Sequence, residues 1–165
     1  MVAADPVEAA WKVHGALADW TGKADIKASF ALTLQSTILA VLGVLAGSGQ
    51  GFRDLGSGAA RPLLWVGAGL LACGAACAAV AISPNLRKER RGPAVDDDFL
   101  YFGHLRTWDP NELETALRDK DLLPALSRQL IVMSEIAWSK HRRVQWSLVL
   151  AVAGSVTLGL AAAVR

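Results

Sequence analysis

Residues 28–52 read ASFALTLQSTILAVLGVLAGSGQGF and contain no Asp, Glu, Lys or Arg. Two further segments without these charged residues lie at 62–86 and 144–164. A helix that crosses the hydrocarbon core of a bilayer needs about 20 apolar residues, each adding about 1.5 Å, and hydrocarbon excludes charge. Each of the three segments is long enough for such a helix. The sequence therefore predicts an all-α membrane protein with three transmembrane helices.

Helix-start signals lie well before the first and the third charge-free segments. Asp5 is a predicted N-cap, and Pro6 follows it at the first helical position. Because no other proline interrupts this part of the chain, one continuous helix from 6 to about 46 is expected. Asp121 precedes apolar residues at helical spacing that continue into the last segment. A second long helix, from about 122 to 164, is therefore expected.

The two long helices are expected to extend beyond the membrane and to pack there as a small cytoplasmic helical bundle. A short helix from 110 to about 120 is predicted as a small helical insert, because Asp109 is an N-cap and Pro110 occupies the first helical position. The predicted organisation is, in chain order, a cytoplasmic N-terminal helix (1–27) continuous with span 1 (28–48), a short external loop (49–61), span 2 (62–82), a cytoplasmic helical region (83–143) and span 3 (144–164).

Charge sets the predicted orientation and limits the partners. Eleven of the 17 Lys and Arg residues lie between 83 and 143, whereas the loop at 49–61 holds two. Because basic loops stay in the cytoplasm, the N-terminus and the 83–143 region are expected on that side. A net charge of +2 is too small to predict nucleic-acid binding. The roughly 80 residues outside the spans are few for an independent core, so a homo-oligomer is expected.

Small and hydroxyl side chains recur three or four residues apart in the first and third spans, a pattern that lets helix backbones approach closely. This predicted helix-packing stripe contains Ser29, Thr33, Thr37, Gly43, Gly47, Ser147, Ala151 and Ser155. Two roles are open: packing within one protomer, or the lining of a water path in an oligomer. Gln35 is the costly polar group in the first span and needs a hydrogen-bond partner.

The same helical spacing places two charged residues on packed faces at the inner membrane edge. Asp25 lies four residues before Ser29, and Lys140 lies seven before Ser147. We therefore expect Asp25 and Lys140 to form an ion pair or share a polar network. The pair either supports the structure or acts as a switch that rearranges when a signal arrives.

No motif in the chain predicts catalysis. The three histidines lack the spacing of metal ligands, and there is no H-E-x-x-H, G-x-S-x-G, Walker or Rossmann pattern. The predicted spans also lack the Asp or His that an intramembrane protease needs. We therefore expect neither an enzyme nor a cofactor.

Three blocks of the chain resemble one known family. Residues 24–28 (ADIKA) resemble its A-D-x-K-A motif at the mouth of the first span, and residues 101–105 (YFGHL) resemble its aromatic-Gly-His segment. Residues 129–140 (QLIVMSEIAWSK) are similar to its third block. The family is that of the Pycsar transmembrane effectors, the small membrane proteins of the pyrimidine cyclase system for antiphage resistance.

This resemblance implies a function that composition does not show. In such systems a pyrimidine nucleotide cyclase makes cyclic CMP or cyclic UMP on phage infection. The effector responds by impairing the bacterial inner membrane, and the cell dies before the phage spreads. The chain shows no cyclic-nucleotide-binding β-roll of the usual kind. Direct binding by the helical region and relay by another component are therefore both open.

If the helical region binds the nucleotide, its phosphate needs a cation or a helix N-terminus, and its base needs an aromatic face or amide-type donors. The candidate ligand-binding residues are Tyr101, His104, Arg106, Arg128, Gln129 and Lys140. The alternative function is that of a membrane scaffold without a pore, whose cytoplasmic helices recruit a partner.

Overall fold

The computed structural model describes residues 5–48, 60–83 and 102–164. These residues form five helices and no strand: α1 (Pro6–Gly47), α2 (Ala60–Ile82), α3 (Phe102–Leu105), α4 (Pro110–Asp119) and α5 (Leu122–Ala163). Helices α1, α2 and α5 are long and apolar enough to cross a membrane. The predicted all-α membrane fold with three spanning helices is confirmed. The four-residue helix α3 was not predicted.

Aspartate caps begin α1, α4 and α5. Asp5 Oδ1 accepts a hydrogen bond from the backbone N–H of Val7 at 3.0 Å, and Asp121 Oδ1 accepts one from Leu123 at the same distance. Asp109 Oδ1 accepts from two N–H groups of the first turn of α4. Each cap satisfies donors that have no partner within the helix. The aspartates therefore fix where the three helices start.

The chain divides into two compact units. The membrane unit comprises Gly22–Ser83 and Ser139–Arg165, and it holds most of the apolar length of α1 and α5 together with α2. The extramembrane unit comprises Met1–Thr21 and Pro84–Trp138. Helices α1 and α5 each supply residues to both units.

In the membrane unit, buried residues recur at alternating steps of three and four along α1 and α2, and at steps of four, three, seven and seven along α5. They are Ala24, Ala28, Ala31 and Gln35 of α1, Leu64, Gly67, Leu71, Gly74, Ala78 and Ala81 of α2, and Lys140, Val144, Ser147, Gly154 and Ala161 of α5. A repeat of 3.5 residues is typical of left-handed helix packing. Most of these residues are small, so the backbones lie close together.

In the extramembrane unit, a small apolar core joins α4 to the start of α5. Ala116 and Ala125 are buried, and Trp108, Leu113 and Leu122 pack against them. The Asp109 cap and Pro110 start α4 immediately after Trp108, whose side chain packs against the core of Ala116 and Ala125. This core holds the short predicted helix against the long one.

Candidate functional site

The candidate site is a set of polar side chains at the interface of α1 and α5, which we call the polar seam: Asp25, Gln35, Lys140 and Ser147. All four belong to the membrane unit. Two contacts make up the seam, one an ion pair and the other a hydrogen bond. Polar contacts between spanning helices matter because hydrocarbon offers no water to satisfy these groups.

The ion pair joins the two side chains that the sequence predicted to meet. Lys140 Nζ donates to Asp25 Oδ1 at 2.6 Å and to Asp25 Oδ2 at 2.8 Å. Ala24 and Ala28 flank Asp25 on the packed face of α1 and are at most 1% exposed. These small side chains let α5 come close enough for the lysine to reach the carboxylate. Whether the pair supports the structure or switches stays a prediction.

The two partners of the ion pair differ in burial. The Lys140 side chain is 10% exposed, whereas the Asp25 side chain is 35% exposed. A buried ammonium group has lost its hydration and depends on charge-assisted hydrogen bonds to replace it. The lysine therefore depends on the aspartate more than the aspartate depends on the lysine.

Gln35 and Ser147 form the second contact of the seam. Gln35 Nε2 donates to Ser147 Oγ at 3.0 Å, and both residues are at most 1% exposed. The sequence required a partner for Gln35, and Ser147 supplies one. However, Gln35 Oε1 is buried and accepts no hydrogen bond from any residue within 5–48, 60–83 and 102–164. The nitrogen of the carboxamide thus has a hydrogen-bond partner, and its oxygen has none among these residues.

Gly74 of α2 completes this layer. A Cβ atom on Gly74 would lie 2.5 Å from Gln35 Oε1 and 3.1 Å from the backbone oxygen of Ser147. Any larger residue would displace the carboxamide. The glycine thus allows three helices to meet around one amide group.

The α1 part of the predicted helix-packing stripe lies on a different face. Ser29, Thr33, Thr37, Gly43 and Gly47 are all exposed in the protomer. The three hydroxyl groups donate to the backbone oxygens four residues earlier, at 2.9, 3.0 and 2.9 Å. Packing within the protomer uses the Ala24 to Gln35 face instead, and sequence reasoning missed that face.

On α5 the same stripe is divided. Ser147 is fully buried, Ala151 is half-buried and Ser155 is exposed. Gly154, one residue before Ser155, is in close contact with α2. The buried face of α5 therefore passes through Ser147 and Gly154.

The six candidate ligand-binding residues do not form one described cluster. Tyr101 lies outside the described residues, and His104 belongs to α3. Arg106 and Arg128 are exposed and Gln129 is half-buried, all three in the extramembrane unit. Lys140 belongs to the membrane unit, where it contacts Asp25.

A groove of about 530 Å³ lies in the extramembrane unit, and none of these candidates lines it. Its lining residues are Trp108, Asn111, Glu112, Thr115, Ala116, Asp119 and Lys120. Two carboxylates against one ammonium make it a poor place for a phosphate anion. Among the described residues, no three His, Cys, Asp or Glu side chains are grouped so that they could hold a metal ion.

Comparison with known proteins gives one match. The family model described as the Pycsar effector protein domain matches residues 9–165, nearly the whole chain. No curated protein and no solved structure matches the chain.

Proposed function

The chain belongs to the Pycsar effector family and is a membrane effector of this antiphage system, and we propose that it impairs the bacterial inner membrane in response to cyclic CMP or cyclic UMP. A pyrimidine nucleotide cyclase would supply the messenger during infection. The outcome would be abortive infection, in which the infected cell dies before the phage spreads. The all-helical fold and the family support an effector that acts without catalysis.

The observation that carries this proposal is the polar seam. A simple membrane anchor gains nothing from a buried ammonium group at the membrane edge and a half-satisfied carboxamide between its spans, because burial is costly for both groups. A protein that rearranges its spans does gain, since such groups are stabilised when the helices part and water enters. The Asp25–Lys140 contact and the Gln35–Ser147 contact therefore favour a moving membrane unit over a static one.

The proposed route of the signal runs along two helices. Helices α1 and α5 each supply residues to both units, so a change in the extramembrane unit has a covalent path to the seam. If the messenger binds the chain directly, Arg106, Arg128 and Gln129 remain proposed nucleotide contacts; relay by another component is the alternative. We place residues 1–27 and 83–143 in the cytoplasm and expect the effector to act as a homo-oligomer.

Membrane potential is the measurement that tests the proposal. Bacterial cells that express the chain are loaded with a voltage-sensitive dye, and a cyclase then supplies cyclic CMP or cyclic UMP. We expect depolarisation only when both the messenger and the chain are present. An unchanged potential with both present would rule out the membrane-impairing function and favour a scaffold that recruits a partner. Calorimetry with purified chain and each nucleotide separates direct binding from relay.

A further inference from the structure

The Gln35 carboxamide is the least satisfied group in the interior of the membrane unit. It is 1% exposed, its Nε2 group donates to Ser147 Oγ, and no described residue donates to Oε1. A buried carbonyl oxygen without a donor loses the hydrogen bonds that water would give it.

Apolar layers that are well packed lie on both sides of this amide. Towards the ion pair, Ala28, Ala81 and Val144 form a buried cluster. Towards the other end, Gly67 and Gly154 come so close that a Cβ on Gly154 would lie 2.9 Å from the Gly67 oxygen. All three helices are thus tightly packed on the ion-pair side of Gln35, and α2 and α5 are tightly packed on its other side. The unfavourable group, the Gln35 carbonyl without a donor, lies in the single layer between these contacts.

From this arrangement we infer that the Gln35–Ser147 layer is the gate of the membrane unit. When the effector is activated, α1 and α5 separate at this layer, and water donates hydrogen bonds to Gln35 Oε1. Hydration satisfies the carbonyl that the closed bundle leaves without a donor, so the layer favours opening. The layer of Ala28, Ala81 and Val144 holds α1 against α2 and α5 until the signal arrives. This inference rests on the proposed membrane-impairing function and names the residue that controls it.

The first test replaces both polar partners of the layer. Gln35→Leu combined with Ser147→Ala removes the Gln35 side-chain carbonyl that has no donor. It also removes the Ser147 hydroxyl, which would otherwise lose its hydrogen bond to the amide. We expect the double variant to unfold at a higher temperature than the wild type. We also expect cells that express it to depolarise at least tenfold more slowly after the messenger is supplied.

Gln145→Leu is the matched control for this variant. Gln145 is exposed on α5, two residues before Ser147, so the same chemical change removes an amide that the seam does not use. We expect this control to depolarise as the wild type does. If the double variant is less stable and the cells that express it still depolarise at the wild-type rate, Gln35 is only a structural contact. That result would overturn the inference that this layer is the gate. If the wild type itself fails to depolarise, the proposed function has failed.

Water access to position 35 gives a second measurement that does not depend on stability. Gln35→Cys is made in a chain whose two cysteines, Cys73 and Cys77, are replaced by Ala. A water-soluble methanethiosulfonate reagent reacts with a thiol only where water reaches it. Because Gln35→Cys removes the carboxamide, Ser147→Cys in the same cysteine-free chain is the main probe, since it lies in the same layer and keeps Gln35. We expect the reaction rate at position 147 to rise at least tenfold when the messenger is supplied, and the rate at position 35 to rise less. An unchanged rate at position 147 in cells that do depolarise would place the opening elsewhere and overturn the gate.

Discussion

Lys140 is the charged group that the membrane unit can least leave unpaired. Its side chain is 10% exposed and its hydrogen bonds run to Asp25 at 2.6 and 2.8 Å. We expect Asp25→Ala to lower the free energy of unfolding by about 1–3 kcal/mol, because it leaves the buried ammonium group without its partner. The loss should be smaller than for a fully buried pair, since Asp25 is partly exposed. Lys140→Ala should cost less, since the Asp25 carboxylate is 35% exposed and can be hydrated. Thermal unfolding of the purified variants in detergent checks both values.

The double variant shows whether the two residues act together. We expect the combined substitution to cost at least about 1 kcal/mol less than the sum of the single changes, because neither charge is then left alone. Lys27→Ala is the control, since Lys27 is exposed on α1 near Asp25. Effects of Asp25→Ala and Lys140→Ala that simply add would mean that the ion pair contributes nothing to stability.

Gly154 is where the backbones of α2 and α5 come closest. A Cβ at this position would lie 2.9 Å from the Gly67 oxygen and 3.1 Å from the Leu71 nitrogen, both of them backbone atoms. Gly154→Ala should therefore push the helices apart and cost about 1–3 kcal/mol of unfolding free energy. Gly159→Ala on the same helix meets nothing within 4 Å and should change stability by less than about 0.5 kcal/mol. Equal unfolding temperatures for the two variants would contradict the close contact.

At the scale of elements, helix ends were predictable because the chain marks them with caps. Aspartate caps followed by proline or apolar residues placed the starts of α1, α4 and α5, and the observed starts are Pro6, Pro110 and Leu122. Helical spacing also predicted the Asp25–Lys140 contact, although it placed Asp25 on the Ser29 face, whereas the packed face of α1 is that of Ala24 and Ala28. Both predictions used information that lies within one helix.

The packing face of α1 was not predictable in the same way. One face carries Ala24, Ala28 and Ala31, and another carries Ser29 and Thr33, so small residues follow two faces of one helix. Nothing within α1 tells which of the two meets α2 and α5. The structure buries the alanine face and leaves the hydroxyl face outside the protomer. The exposed face keeps its predicted role in an oligomer open.

Helix α4 depends on its cap more than on its side-chain pairs. Asp109 Oδ1 accepts from Asn111 at 2.9 Å and from Glu112 at 3.4 Å. We expect Asp109→Ala to cost about 1 kcal/mol and to speed hydrogen exchange of the amides in the first turn of α4. Glu114→Ala removes an exposed pair with Arg118 and should change stability by no more than about 0.5 kcal/mol. Slower or unchanged exchange in Asp109→Ala would show that the core around Ala116 holds the helix without the cap.

At the scale of the whole molecule, three spanning helices and the distribution of basic residues determine a sidedness that can be measured. Residues at the end of α1 and residues in α4 should face opposite sides of the membrane, because one spanning helix, α2, lies between them in the chain. Ser48 and Thr115 are exposed and small, so each can be changed to cysteine with little cost. The two cysteines of α2 are replaced by Ala in the same chain.

A maleimide that does not cross membranes then reports the side of each position in intact cells that lack the messenger. If the basic 83–143 region is cytoplasmic, Ser48→Cys reacts in intact cells, and Thr115→Cys reacts only after the membrane is permeabilised. The permeabilised sample is the control, because both thiols must react there if both are exposed. The reverse labelling would place α4 outside the cell, where a messenger made in the cytoplasm could not reach it. In that case the proposed signal route along α1 and α5 would be excluded, while the packing of the membrane unit would stand.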